Sequence, residues 1–480
     1  MESLWKKTVE LPRQRVLGQD LQVQCAIVGG GMAGLLTALF LERNGVEAVV
    51  LEADRVAGGQ TGNTTAKITA QHGMIYHKLL DTLGREKAQQ YAHANQRAIE
   101  QYRQIAGDLG ISCWMEELPA YLYSRLEEEP LRREADAAKS LGFDAAFTMD
   151  TTLPFPVAGA VRFENQSQFH PLEFLQGILP KLTVYEETPV LSVEGDALVT
   201  PGGRVTAEEI VFATHYPFLN LPGMYFARMH QERSYVIALE GAQKLDGVYY
   251  GVDEEGGWSM RNAGEYLLLG GGNHRTGDNR SGGKYRSLAD AAKEFWPQSR
   301  EAARWSAQDC MTLDGVPYIG QFAESTPNWY VATGFGKWGM THSMVAAQLI
   351  SDRILGRENP DWEVFSPQRF TPGASAKTFL ENGLQAVKGL GSQLLEPPRA
   401  LLKDLQPGHG GIVEWGEEKV GAYRDEAGEV FLVSTRCPHL GCQLEWNPDE
   451  KSWDCPCHGS RFDYKGNRID GPAQTGLHRG

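Results

Sequence analysis

Residues 23–34 read V-Q-C-A-I-V-G-G-G-M-A-G. A short apolar, β-rich run breaks at a G-x-G-x-x-G whose glycines are Gly29, Gly31 and Gly34. A helical pattern follows, with Leu35, Leu36, Ala38, Leu39 and Leu41 apolar, and Asn44-Gly45 supplies a stop. A second apolar run, Val46–Leu51, ends at Glu52. With 54 glycines in the chain, a G-x-G-x-x-G alone says little. The flanking strands and the terminal acid carry the assignment of a dinucleotide-binding unit. Gly29 allows the tight turn, Gly31 lets the backbone approach a pyrophosphate, and Gly34 lets helix and strand pack closely. Met32 and Ala33 begin a helix whose N-terminus faces the phosphate charge. Glu52 is placed to accept hydrogen bonds from the ribose hydroxyls.

A single such unit occurs. Gly270-Gly271-Gly272 follows an apolar run, Tyr266–Leu269, but no helix pattern opens after it. A reductase with separate flavin and nicotinamide sites needs two fingerprints, so one site holding FAD is the economical reading.

At the other end stand Cys437-Pro438-His439-Leu440-Gly441-Cys442 and Cys455-Pro456-Cys457-His458-Gly459-Ser460. The C-x-H and C-x-x-H pairs have fifteen residues between them, counted between His439 and Cys455. Cys437 and Cys455 can bind one iron through sulfur, and His439 and His458 the other through neutral nitrogen. That is the Rieske form of a [2Fe-2S] cluster, with a reduction potential of roughly −150 to +300 mV. A Cys2His2 zinc site uses the same donors. Its spacing, however, normally pairs like with like.

The stretch from about Pro407 to Leu477 resembles Rieske proteins of the cytochrome bc type. The resemblance rests on the ligand loops, the strand-rich run Gly411–Val433, and Gly471-Pro472-Ala473, which looks like a proline loop covering the cluster. It implies a disulfide between Cys442 and Cys457 and a hydrogen bond from Ser460 to a bridging sulfide. Phe462 stands where high-potential members carry a tyrosine. A phenyl ring donates no hydrogen bond, so the resemblance implies a lower potential.

The chain to about Gly356 is similar to FAD-dependent oxidoreductases of the D-amino-acid oxidase and glycine oxidase type. The similarity runs through the Gly/Thr-rich loop Gly58–Thr65 with Thr61 and Thr64, Gln168-Phe169-His170-Pro171, Thr188-Pro189-Val190, and Glu209–Thr214. It is strongest at Asp314-Gly315-Val316-Pro317-Tyr318-Ile319-Gly320 and at Tyr330–Met340 (Y-V-A-T-G-F-G-K-W-G-M). It implies that Val190 contacts adenine. It also implies that Gly334, Gly336, Gly339, Met340 and Thr341 present backbone to the isoalloxazine, with a helix from about Thr341 to Leu355 aiming its dipole at the ring.

These readings predict three parts. Residues 1–370 form an α/β, Rossmann-type FAD domain with an inserted mixed α+β substrate domain, its FAD-binding segments at about 20–110, 160–225 and 305–360. Residues 371–404 form a linker helix with Leu380, Leu384, Val387 and Leu394 on one side. Residues 405–480 form an all-β Rieske domain.

At 480 residues and 41% hydrophobic composition there is material for two or three cores. The net charge of −15 argues against nucleic acid as a partner. From Leu405 onward there are eight Lys/Arg and twelve Asp/Glu. No run reaches transmembrane length, and no leader is recognised at the start; the expectation is a cytoplasmic protein.

Residues for substrate chemistry are less legible. A carboxylate substrate needs an arginine, and the candidates are Arg233, Tyr235, Arg261, His274 and Arg275, with Lys337 and Trp338 in the glycine-rich closing loop. The expected function is a dehydrogenase of an amine or amino acid that passes electrons from FAD to the cluster and on to a protein or quinone acceptor. The alternatives are a flavin reductase fed through the cluster and a non-catalytic redox sensor.

Overall fold

The computed structural model describes residues 1–369, 371, 375, 400–416 and 418–478. The linker helix expected around 376–395 lies outside the described residues.

Leu21–Val28 sits at the centre of an eight-stranded sheet. It pairs in parallel with Gly203–Phe212 on one side and Ala48–Leu51 on the other. Thr183–Tyr185 and Thr326–Thr333 extend the parallel run, and Tyr318–Ala323 adds an antiparallel edge. Ala48–Leu51 is buried throughout. Such continuous apolar runs are what a parallel sheet covered on both faces requires. The helix Met32–Arg43 packs on this sheet and against a second helix, Gly339–Ile354.

The glycine loop is built by contact rather than by flexibility. A Cβ on Gly34 would lie 2.0 Å from the Gly29 carbonyl oxygen. Gly29 itself has φ +113°, and a Cβ there would meet the Ala213 carbonyl at 2.5 Å. Helix, turn and the end of Gly203–Phe212 therefore meet backbone to backbone.

A second sheet has nine strands. Its path runs Arg300–Thr312, Met229–Glu240, Tyr266–Arg275, Ser259–Ala263, Val248–Gly251, Glu116–Ser124, Gly159–Gln168, Lys67–Ile68, with Ala145–Thr148 paired to Gly159–Gln168 off this path. Pairing is antiparallel except between Val248–Gly251 and Glu116–Ser124. Gly159–Gln168 and Trp305–Thr312 thus belong to this sheet by pairing, although they fall within the flavin-binding segments expected above. Their ladder partners, Glu116–Ser124 and Met229–Glu240, are distant in sequence.

The C-terminal part consists of two four-stranded sheets. One is Ala400–Leu401, Gly410–Trp415, Glu418–Arg424 and Val430–Ser434; the other is Glu445–Asn447, Ser452–Asp454, Arg461–Asp463 and Arg468–Asp470.

This β domain is bolted to the second sheet through the turn 447–450. The N–H groups of Gly283 and Lys284 donate to the Asp449 carboxylate at 3.1 and 3.0 Å, so a carboxylate from one domain caps the helix Lys284–Phe295 of another. Glu450 accepts from Tyr285 Oη (2.7 Å), Ser306 Oγ (2.5 Å) and Arg233 (3.2 Å). Burial alone would raise the Glu450 carboxyl, but Arg233 and Arg461 hold it below its ordinary range. Arg233 is 1% exposed. Glu450→Gln leaves that guanidinium without its counter-charge and is expected to destabilise the protein by about 3 kcal/mol, read as a fall in the thermal midpoint of purified protein.

Candidate active site and metal centre

Both sheets and the β domain enclose one large cavity of about 720 Å³. Gly29, Gly31, Met32, Ala33 and Glu52 line one end, with Pro189 and Val190 beside them. The Glu52 carboxylate accepts from the N–H groups of Gly30 (2.6 Å) and Asp54 (2.9 Å). Its pKa is raised by burial, against the pull of those two donors. Thr61 Oγ1 accepts from Met32 N–H at 3.0 Å and ties the Gly/Thr-rich loop to the helix start. Thr64, Gly336, Gly339 and Met340 complete this lining.

Three residues expected at the cofactor stand behind the wall. Gly34 makes the contact described above. Gly334 turns the chain at φ +73°, where a Cβ would strike the Thr312 methyl at 2.2 Å. Thr341 Oγ1 donates to the Thr69 carbonyl (2.8 Å) and accepts from its N–H (3.1 Å). The helix begins at Gly339 rather than Thr341, with its first turn toward the cavity.

The N-terminal segment contributes what sequence reading passed over. Ser3 Oγ donates to the Gly62 carbonyl, Trp5 Nε1 to Thr64 (2.6 Å), and Lys6 Nζ to Gly58 (2.6 Å). Three side chains thereby pin the loop Gly58–Thr64, and nothing in their local pattern announces it.

Of the residues considered for substrate chemistry, Lys337 lines the cavity and pairs with Glu232 at 3.1 Å. The others do not line this cavity and make contacts elsewhere. Arg233 is held by Glu450. Tyr235 Oη accepts from Asn279 and Asn447, each at 3.1 Å. Arg261 donates to the carbonyls of Thr65 (3.0 Å), Ala66 (2.5 Å) and Phe169 (3.2 Å), and burial lowers its pKa to about 9. His274 Nδ1 lies 3.1 Å from the Gly272 carbonyl, and Arg275 Nε donates to Pro456 O (3.2 Å). Trp338 stacks on His72 at 4.9 Å.

The two Cys/His loops meet tip to tip. The Cys437 and Cys455 thiols face one another at hydrogen-bonding range, with the Ser460 hydroxyl against Cys437. The imidazoles of His439 and His458 stand perpendicular, 4.9 Å between centroids. Each has its Nδ1 buried without a partner. Two close sulfurs and two orphaned imidazole nitrogens suit a diiron cluster with mixed ligands. Cys442 and Cys457 are joined by a disulfide that ties the loops together. Ser460 Oγ also accepts from Ala473 N–H at 3.0 Å, which fixes the proline loop.

These loops are turned toward the flavin-type cavity. His439 Nε2 bonds Asn220 Oδ1 at 2.8 Å. Gln231 Nε2 donates to the His458 carbonyl (2.7 Å) and Gln308 Nε2 to that of Gly459 (2.8 Å). Gln60, a cavity residue, donates to Asp470 at 3.0 Å. Asp470, Gly471 and Pro472 line the cavity themselves. Tyr216 also lines it, its hydroxyl buried and unpartnered, and burial raises its pKa well above the ordinary phenol value.

A cradle for a dinucleotide and a Cys2His2 cluster site sharing one wall define a two-centre redox protein. The family model for FAD dependent oxidoreductases matches residues 24–353, and that for the Rieske [2Fe-2S] domain matches residues 398–479. The chain belongs to the FAD-dependent oxidoreductase family, carries a C-terminal Rieske domain, and uses FAD and a [2Fe-2S] cluster. It is 36% identical to the Rieske 2Fe-2S iron-sulfur protein YhfW of Bacillus subtilis (strain 168), over 98% of this chain and 96% of that one. Its fold is similar to L-proline dehydrogenase from P. horikoshii (TM-score 0.61, 16% identity, 74% of this chain and 99% of that one). It is likewise similar to glycine oxidase from Geobacillus kaustophilus (TM-score 0.61, 20% identity, 73% and 99%). Among the described residues, no helix is long and apolar enough to cross a membrane.

Proposed function

We propose that this oxidoreductase dehydrogenates an amine or amino acid at FAD, passes the electrons to its own cluster, and delivers them singly to an external acceptor. The observation that carries this reading is the shared wall. The proline loop of the Rieske domain borders the flavin cavity, and His439 is hydrogen-bonded to Asn220 of the flavin-binding part. When bound, FAD takes up a hydride and the cluster carries one electron at a time. The residues assigned to FAD are Gly29, Gly31, Met32, Ala33, Glu52, Thr61, Thr64, Val190 and the segment Gly336–Met340. Those assigned to the cluster are Cys437, His439, Cys455 and His458.

The protein's own groups tie the two sites together. Gln60, Gln231 and Gln308 cross the seam, and Cys442–Cys457 restrains the loops. Asn220 orients the imidazole of His439 so that its other nitrogen faces the cluster position, as outer-shell partners of metal-bound histidines do. The names of the two fold neighbours, a proline dehydrogenase and a glycine oxidase, favour oxidation at a carbon bearing nitrogen.

Anaerobic addition of an amine and amino-acid panel to the holoprotein tests this. The expected result is bleaching of the flavin bands first and the cluster bands second, with little peroxide formed when the reaction is repeated in air. Cluster reduction by an external donor ahead of any flavin change, with no substrate of the panel acting, would overturn it.

A further inference from the structure

The charges around the cavity are almost all matched. Among the described lining residues, Lys6 donates to Gly58 and Asn63, Arg55 pairs with Glu186, and Lys337 pairs with Glu232. Arg461 is held by Asp454, Asp470 and Glu450, and Arg468 lies 3.6 Å from Asp54. Among the described lining side chains, an incoming carboxylate therefore meets no lysine or arginine that lacks a partner. The two buried arginines that could have served, Arg233 and Arg261, are committed to Glu450 and to backbone carbonyls.

The lining carboxylates differ in one member. Glu52 accepts two backbone N–H groups, and Asp54, Glu450 and Asp470 each face an arginine. Asp309 lines the cavity with no hydrogen-bond or ion-pair partner of its own. Its position is set by the flavin loop: Gly336 N–H donates to the carbonyl of Cys310 at 2.9 Å. Asp309 is thus one residue from the strand's contact with the segment bearing Lys337. Lys337 lines the same end of the cavity, and Glu232, which is not itself a lining residue, pairs with it. Phe335 and Trp305 supply apolar surface nearby.

We infer that Asp309 is the substrate-recognition carboxylate, and that the substrate is a cationic amine whose binding does not depend on a free carboxylate. This deepens the reaction proposed above and rests on it. The ammonium loses one proton to Asp309; the resulting amine then yields a hydride to FAD and leaves as an iminium ion, which water splits to a carbonyl compound and ammonium. Asp309 is half-buried, and a charge-assisted hydrogen bond from an ammonium offsets the cost of drawing an unpaired carboxylate out of water. Burial raises the Asp309 pKa to about 7, with Lys337 opposing the rise, Glu232 adding to it and Arg233 opposing it; Tyr250 and His230 face the same cluster. Only the ionised carboxylate attracts an ammonium, so affinity for the cation is expected to rise as pH increases through about 7.

The probe is tert-butylammonium, which has no hydrogen on the carbon bearing nitrogen and cannot be oxidised there. Titrated into oxidised holoprotein, it is expected to perturb the flavin spectrum saturably, whereas benzoate is not. Asp309→Asn is expected to weaken this binding at least ~30-fold, the usual scale for a buried charge pair losing one partner. Asp309→Glu is expected to retain it, with flavin and cluster spectra serving as the check on folding in both variants. Equal affinity in wild type and Asp309→Asn, or perturbation by benzoate alone, would overturn the site. If tert-butylammonium binds through Asp309 but no oxidisable amine bleaches the flavin, the proposed reaction falls and the cation site stands. If amines bleach Asp309→Asn with unchanged affinity, the site falls and the reaction stands.

Discussion

Cys455→Ala is expected to yield protein that retains FAD but lacks the [2Fe-2S] cluster, and whose delivery of electrons to a one-electron acceptor falls by at least ~100-fold. Even outer-shell partners of a metal site change affinity by roughly 10–100-fold, so the loss of a thiolate exceeds that. Cys455 is buried and faces Cys437, and its N–H donates to the Ser460 carbonyl at 2.9 Å, so the loop's backbone frame does not depend on the sulfur. The FAD-lining residues from the first sheet are untouched. Iron and acid-labile sulfide content, the low-temperature electron paramagnetic resonance of reduced protein, and flavin content separate the two centres. Flavin reduction by substrate should persist in the variant while reduction of an external one-electron acceptor does not. A variant that still reduces the acceptor at the wild-type rate would remove the cluster from the electron path.

Gly34→Val should have an effect of similar size at the other centre. The first atom of any side chain there lies 2.0 Å from the Gly29 carbonyl oxygen and 3.3 Å from the Ile27 side chain. The obstacle is backbone, which cannot swing away as a flexible side chain could. The helix Met32–Arg43 must lift off the strand, and its N-terminus leaves the position facing the phosphates. Overpacking of this kind costs about 1–3 kcal/mol or more, and FAD affinity is expected to fall on the order of 100-fold. Gly18→Ala is the control, since nothing lies within 4 Å of a Cβ at that position. Flavin content after dialysis and a fluorescence titration with FAD give the comparison; equal affinity in the two variants would refute the packing argument.

Where chemistry depends on close spacing along the chain, it could be read directly. The glycine loop, Glu52 and the two Cys/His loops each place their groups within one local segment, and those segments present them together in the structure. The pairing of Cys442 with Cys457 came from resemblance to a family, and the two sulfurs are bonded. Arg233 and Arg261 show where this kind of reading fails. An arginine in a substrate-type sheet is chemically suited to a carboxylate, but its partner is chosen by whatever lies across the fold. For Arg233 that partner is Glu450, 217 residues away in the chain. For Arg261 it is a set of carbonyls around Ala66. Asp309 is the converse: an ordinary aspartate in a strand, distinguished by lining the cavity without a hydrogen-bond or ion-pair partner.

The amino-acid order alone determined which cofactors this protein is built to hold, because backbone approach to a phosphate and ligation of iron are properties of short segments with strict residue requirements. It also determined that both would share one polypeptide. Only the tertiary structure decided that the two sites face each other across a common wall, that Asn220 meets His439, and that Asp309 lines the cavity without a hydrogen-bond or ion-pair partner. Those facts depend on pairings between residues hundreds of positions apart, and in a packed interior a charge or donor takes its meaning from what burial brings against it.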